Sequence, residues 1–208
     1  LGLWLFLFFF QGAVYYHLMV VVILVLLGYK QDNPWRTLIF VILASLWAGI
    51  SRVNWFPVPA LLAVTIYLLE TPGKGKKIVD YLKYPLIWSL AGGISALLSN
   101  RVYAQISRNE VEQFASSFSS YLIWSRLLPN TTYPPGIILG ALMVFLPGTL
   151  LVIYQILKSG WRAYFHWLRN GALLGMLAVF ALGGVIVSVK IGGGGDLHNL
   201  DAFLVFFV

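Results

Sequence analysis

"TLIFVILASLWAGISRVNWFPVPALLAVTIYLL", residues 37–69, contains two apolar runs separated by one polar knot. A helix needs roughly 20 residues to cross about 30 Å of hydrocarbon at about 1.5 Å per residue. The runs 37–50 and 56–69 are both shorter than that. Between them "SRVNW" places Arg52 and Asn54 where neither run can hide them. Two shortened helices meeting at a polar turn predict a pair that leaves a recess in the membrane rather than filling its thickness.

The rest of the chain has the same character. Of its 208 residues 60% are hydrophobic and 10% charged, with a mean hydropathy of +0.84. That is too little polar surface to cover a water-soluble globule, and the lipid bilayer is the expected partner of most side chains. No nucleic-acid partner is expected. With no cysteine, disulfides and thiolate metal sites are excluded. Leu1 already lies inside an apolar run and Val208 ends one just begun, so the chain is expected to be a piece of a longer one. Further helices are expected at 1–10, 13–29, 84–98, 136–157 and 171–189, with another beginning at 202. This gives about eight helices or part-helices, an all-α polytopic transmembrane bundle without the alternation of a β-barrel. It is treated as one transmembrane domain.

Positive charge orients the bundle. Nine of the fourteen Lys and Arg residues, Lys30, Arg36, Lys74, Lys76, Lys77, Lys83, Lys158, Arg162 and Arg169, fall in three short loops on one side. The lysine-rich loops are therefore expected to be cytoplasmic, in a bacterial plasma membrane. Three polar elements are then expected to converge on the outer face: the "SRVNW" turn, a long loop at 100–135, and "KIGGGGDLHNLD" at 190–201. Within the long loop, Val111, Phe114, Phe118 and Leu122 recur at helical spacing, which predicts an amphipathic helix in the interface plane. Pro129, Pro134 and Pro135 end it.

The 190–201 stretch carries the most chemistry per residue. Glycines 192–195 strip away side chains, so backbone N–H groups can close around an anion. Lys190 and Arg52 would supply positive charge at the membrane boundary, and the arginine fork suits phosphate oxygens best. Lys190 ending its helix, and Arg52 snorkelling to headgroups, are the plainer readings of the same residues. Asp196, His198, Asn199 and Asp201 would hold a divalent metal only with ligands from elsewhere. The plainer reading has Asn199 or Asp201 capping the last helix. His17 lacks a partner for haem ligation, and His166 sits in the basic aromatic segment "WRAYFHWLR", expected to touch anionic lipid. "GKGKK", 73–77, lacks the second half of a phosphate-binding loop and is a basic turn.

Together, the short helical pair, the outward Arg-Asn turn, the interfacial helix and the late glycine turn resemble the GT-C superfamily of membrane glycosyltransferases. Arg52 with Asn54 resembles the family's T/S-R-x-N element. Lys190 with Gly192, Gly193, Gly194, Asp196, His198 and Asn199 resembles its K-x-G-G-x-x-N turn. The resemblance implies transfer of a sugar from a polyprenyl-phosphate donor at the outer face, with these residues binding the substrate. The family's acidic catalytic motif has no counterpart upstream of Arg52, so no catalytic base is assigned. A reading from another class is a non-catalytic membrane subunit, acting with other membrane subunits, or a transporter-like bundle with a broken-helix site. No repeat relates the two halves of the chain, which counts against the transporter.

The orientation is directly testable because the chain carries no native cysteine. A single cysteine replacing Gly75 should resist an impermeant thiol reagent added from outside, and one replacing Asn109 should react. The opposite pattern reverses the topology.

Overall fold

The computed structural model describes residues 16–71, 77–107, 127–131, 136–159, 166–191 and 197–207. Among them are seven α-helices and two short 3-10 turns, with no strand. The helices are α1 (Tyr16–Gly28), α2 (Pro34–Ser51), α3 (Val58–Glu70), α4 (Ile78–Ser107), α5 (Gly136–Ser159), α6 (Trp167–Ile191) and α7 (Asp201–Phe207). The turns are Val53–Trp55 and Leu197–Leu200. The chain divides into two compact units, one of them Tyr16–Phe114 and the other including Ala115–Val208. The expected helix at 1–10, the interfacial helix and glycines 192–195 lie outside the described residues.

In the first unit α2 is central and touches α1, α3 and α4. It starts where Asn33 caps it, the Asn33 side chain accepting the Arg36 N–H at 3.0 Å, and Pro34 fills the first turn. Proline is suited there because its missing N–H has no helical partner to lose. This start makes α2 longer than the expected 37–50. The helix closes with the Arg52 N–H donating to the Ala48 carbonyl at 3.1 Å. Arg52 itself is extended, at φ −152° and ψ 139°. α3 then begins with Pro57 and Pro59 in its entry and runs only 13 residues.

Small residues let α2 and α4 approach closely. Val41, Ser45 and Gly49 recur every fourth residue on α2, and Gly92, Ala96 and Asn100 do the same on α4. A Cβ at Gly92 would stand 2.9 Å from the Ala60 Cβ and 3.0 Å from the Ser45 hydroxyl. One at Gly49 would collide with the Ala96 carbonyl and lie 2.8 Å from the Ser99 Cβ. Two side-chain hydrogen bonds join the pair: Ser99 donates to the Leu46 carbonyl at 2.7 Å, and the Asn100 amide to the Gly49 carbonyl at 3.2 Å. These bonds explain why the loop expected at 100–135 begins later. Ser99, Asn100 and the residues through Ser107 remain helical because α2 offers acceptors to polar side chains that hydropathy alone assigns to a loop.

Trp88, 1% exposed, is the hub of the core at the other end. Its ring meets Tyr67 edge-on at 5.8 Å and stacks on Tyr84 at 6.2 Å, and its indole N–H donates to the Pro34 carbonyl at 3.2 Å. Pro85, inside α4, is buried beside this cluster.

The second unit is held largely by phenylalanine. Phe203 and Phe207 of α7 both meet Phe145 of α5, at 4.7 and 5.5 Å, and Phe206 stacks on Phe180 of α6 at 4.4 Å. Gly136 opens α5 at φ +69°, a left-handed backbone that favours glycine, and a Cβ there would meet the Leu127 and Leu128 carbonyls. Leu142, Met143, Leu146, Leu150 and Ile153 of α5 are exposed. Four segments are long and apolar enough to cross a membrane: Pro34–Ser51, Val53–Glu70, Gly136–Lys158 and Trp167–Val187. A helix so widely apolar finds its solvent in hydrocarbon. The chain is an integral membrane protein of all-α class.

Neighbouring glycines of α4 provide a test. Overpacking a close contact costs about 1–3 kcal/mol, so Gly92→Leu and Gly49→Leu should each lower the thermal midpoint in detergent by several degrees. At Gly93 a Cβ meets nothing within 4 Å, and Gly93→Leu should leave the midpoint unchanged or raise it. Equal losses at Gly92 and Gly93 would contradict the α2–α4 packing.

Candidate functional site

The polar knot forms one tight turn. Arg52 precedes the 3-10 turn, the Trp55 N–H donates to the Arg52 carbonyl at 3.1 Å, and the Phe56 N–H to the Val53 carbonyl at 3.2 Å. Trp55, 1% exposed, anchors the turn in the core. The Arg52 guanidinium carbon lies 5.6 Å from the centre of the Trp55 ring. Such a contact contributes about 0.5–2 kcal/mol, more when water is kept away. The Arg52 side chain is half-buried, and its Nη1 is buried outright. Asn54, two residues on, has a buried amide nitrogen, Nδ2, with no hydrogen-bond acceptor among the described residues. Guanidinium and amide N–H groups are donors only. A turn that concentrates donors, one of them charged, suits an anion with several acceptor oxygens.

The charges at the opposite end of this unit are arranged differently. Loop 29–33 and Thr71 meet there: the Gln31 amide donates to the Thr71 hydroxyl at 3.1 Å, and the Tyr81 hydroxyl to the Thr71 carbonyl at 3.2 Å. Lys30 pairs with Asp32 at 3.6 Å, an exposed contact of little energetic weight. Burial, and then the nearby Glu70 carboxylate, hold the Tyr29 phenol well above its ordinary pKa. It stays neutral throughout the physiological range. The described carboxylates of the unit, Asp32, Glu70 and Asp80, all belong to this end, away from Arg52.

The other expected site residues fall in the second unit. Lys190 lies in the last turn of α6, and His198 and Asn199 lie in the 3-10 turn that follows. Gly192, Gly193, Gly194 and Asp196 are outside the described residues. Asn199 is 1% exposed and packs closely on α6, its carbonyl 2.9 Å from where a Cβ of Gly184 would stand. Asp201 is fully buried, and its carboxylate accepts the N–H of the next residue, Ala202, at 2.6 Å, whereas an N-cap holds the N–H two or three residues on. The structure thus brings Arg52 and Asn54 together on one turn, and Lys190, His198 and Asn199 along one α6–α7 connection.

The remaining histidines have structural partners. His166 caps α6, its Nδ1 accepting the Arg169 N–H at 3.3 Å. Its place just before an apolar helix was a signal for that role. His17 stacks on Trp47 at 6.1 Å, and its carbonyl accepts the Trp47 indole N–H at 3.1 Å. No group of three His, Asp or Glu side chains able to hold a metal occurs among the described residues.

No protein-family model, curated protein or solved structure matches the chain. Fold and composition define its class, a helical integral membrane protein.

Proposed function

We propose that this chain is the donor-holding part of a membrane glycosyltransferase of GT-C type, which binds a polyprenyl-phosphate-linked sugar at the outer face of the membrane. One observation carries the reading: the Arg52–Trp55 turn gathers a guanidinium and a buried amide donor at the junction of two membrane helices. A cation at membrane depth is costly unless it faces water, an anion or a partner. A lipid phosphate arrives at that depth with its charge at the boundary and its tail in hydrocarbon. In the transfer reaction Arg52 holds the donor phosphate and stabilises the negative charge that grows on it as the glycosidic bond breaks. By the resemblance of the late glycine turn alone, Lys190, the glycines 192–194, Asp196, His198 and Asn199 are proposed as further substrate-binding residues. A general base for the acceptor hydroxyl is required as well.

The non-catalytic membrane subunit remains a second reading, favoured by one observation. The described carboxylates of the first unit cluster at the end away from Arg52, which fits a lipid-phosphate-binding component whose catalytic carboxylate belongs to another part of the protein or assembly.

Binding of a polyprenyl phosphate to the full-length protein in nanodiscs tests the proposal. Hydrogen bonds to a charged group contribute about 1.5–3 kcal/mol, so Arg52→Ala should weaken binding roughly ten- to hundredfold. Arg52→Lys should restore only part of it, because the bidentate fork is lost. Lys190→Ala and Gly194→Val should weaken it too. Wild-type affinity in both Arg52→Ala and Gly194→Val rejects the phosphate site.

A further inference from the structure

At the end of the first unit opposite the Arg52 turn, one arginine differs from the other charges around it. Arg36, in the first turn of α2, reaches across to α1: its Nη2 donates to the Leu27 carbonyl at 2.9 Å, and its guanidinium carbon lies 5.9 Å from the centre of the Phe40 ring. Phe40 is held in turn, because its side chain fills the space that a Cβ on Gly28 would take. Lys30 has Asp32 at 3.6 Å, whereas no carboxylate among the described residues, Asp32, Glu70 and Asp80 included, lies within ion-pairing distance of Arg36. A guanidinium carries several N–H donors, and the Leu27 carbonyl occupies one of them. Arg36 is exposed, so the fork is presented at the surface of the bundle.

An apolar seam runs from this arginine along the α1–α2 contact. Val20, Leu24 and Leu27 on α1 and Phe40 and Leu43 on α2 follow helical spacing. The two helices meet at both ends of the seam, Arg36 on Leu27 at one and His17 stacked on Trp47 at 6.1 Å at the other. From Leu27 to His17 is about 15 Å along α1, close to the hydrocarbon depth of one leaflet. Val20, Leu27 and Leu43 are exposed along it.

We infer that this corner seats one anionic glycerophospholipid, with its phosphate on Arg36 and an acyl chain along the α1–α2 seam. Charge complementarity selects the occupant. A cation at the membrane boundary is costly without a counter-charge, and a phosphate offers several acceptor oxygens to the arginine fork. The seam that continues from the guanidinium favours a phosphate carrying a chain over a free one. A zwitterionic lipid brings its own ammonium beside the phosphate and competes poorly for a second cation. Trp35, next to Arg36 and 69% exposed, adds an indole at headgroup depth, where such rings are enriched. The site lies away from the Arg52 turn and does not depend on the reading of that turn.

The test titrates the full-length protein in mild detergent with phosphatidylglycerol, phosphatidylcholine and glycerol 3-phosphate, and reads bound ligand by native mass spectrometry. Phosphatidylglycerol should bind roughly tenfold more tightly than phosphatidylcholine, in line with hydrogen bonds between charged groups, and glycerol 3-phosphate should bind more weakly than either. Arg36→Gln should bring phosphatidylglycerol down to the phosphatidylcholine level. Leu27→Glu should do the same by giving Arg36 a carboxylate of its own, and at an exposed position it guards against a folding fault in the first variant. Lys83→Gln removes a charge from the same end of the unit, on α4, and should change nothing. A phosphatidylglycerol preference that is absent from the wild type, or that survives both Arg36→Gln and Leu27→Glu, overturns the site. So does an equal loss in Lys83→Gln, which marks a diffuse basic surface, or glycerol 3-phosphate binding as tight as that of phosphatidylglycerol, which marks a free-anion site.

Discussion

The close approach of α2 and α4 is the contact on which the first unit depends. Hydrocarbon gives apolar side chains no reason to leave lipid for each other, so helices in a membrane associate through dense packing and the few hydrogen bonds they can share. Gly49, Gly92 and Ala96 remove the bulk that would hold these two helices apart. Ser99 and Asn100 then place their polar groups on carbonyls of α2. With that pair fixed, α1 and α3 have surfaces to pack against, and the turn joining α2 to α3 must carry Arg52 and Asn54 at one end of the unit.

Trp55 converts that constraint into a defined site. Fully buried, it fixes the turn in rotation, and the Arg52 side chain lies along its ring instead of sweeping freely toward headgroups. Snorkelling is the ordinary behaviour of an arginine at a membrane boundary, and its cost is a side chain with no preferred direction. An arginine laid on an aromatic face has surrendered part of that freedom before a ligand arrives. Preorganisation of this kind lowers the entropy lost on binding.

Much of this was legible in the sequence, and what was missed has physical causes. The polar knot at 51–55 stands out because charge and amide interrupt long apolar runs, and the structure has its turn there. The helices at 136–157 and 171–189 were readable from length and hydropathy alone. The end of α4 was not, because hydropathy counts Ser99, Asn100 and Arg101 as loop formers and cannot see acceptors on another helix. The four-residue spacing of Gly92, Ala96 and Asn100 was the available signal. The role of Trp88 depends on aromatic rings drawn from three parts of the chain, Tyr29 after α1, Tyr67 on α3, and Tyr81 and Tyr84 on its own helix. No local pattern records such a meeting. The chemistry of 190–201 is readable as residue types, whereas the close fit of Asn199 on α6 is a tertiary contact that spacing does not record.

The hydrogen bonds at Thr71 have a mechanical consequence. The C-terminal end of α3 is stitched through that one residue to loop 29–33 and to α4, while the buried Trp55 anchors the turn at its other end. A rod of 13 residues pinned at both ends has little freedom to tilt, and the Arg52 turn at its head inherits that rigidity.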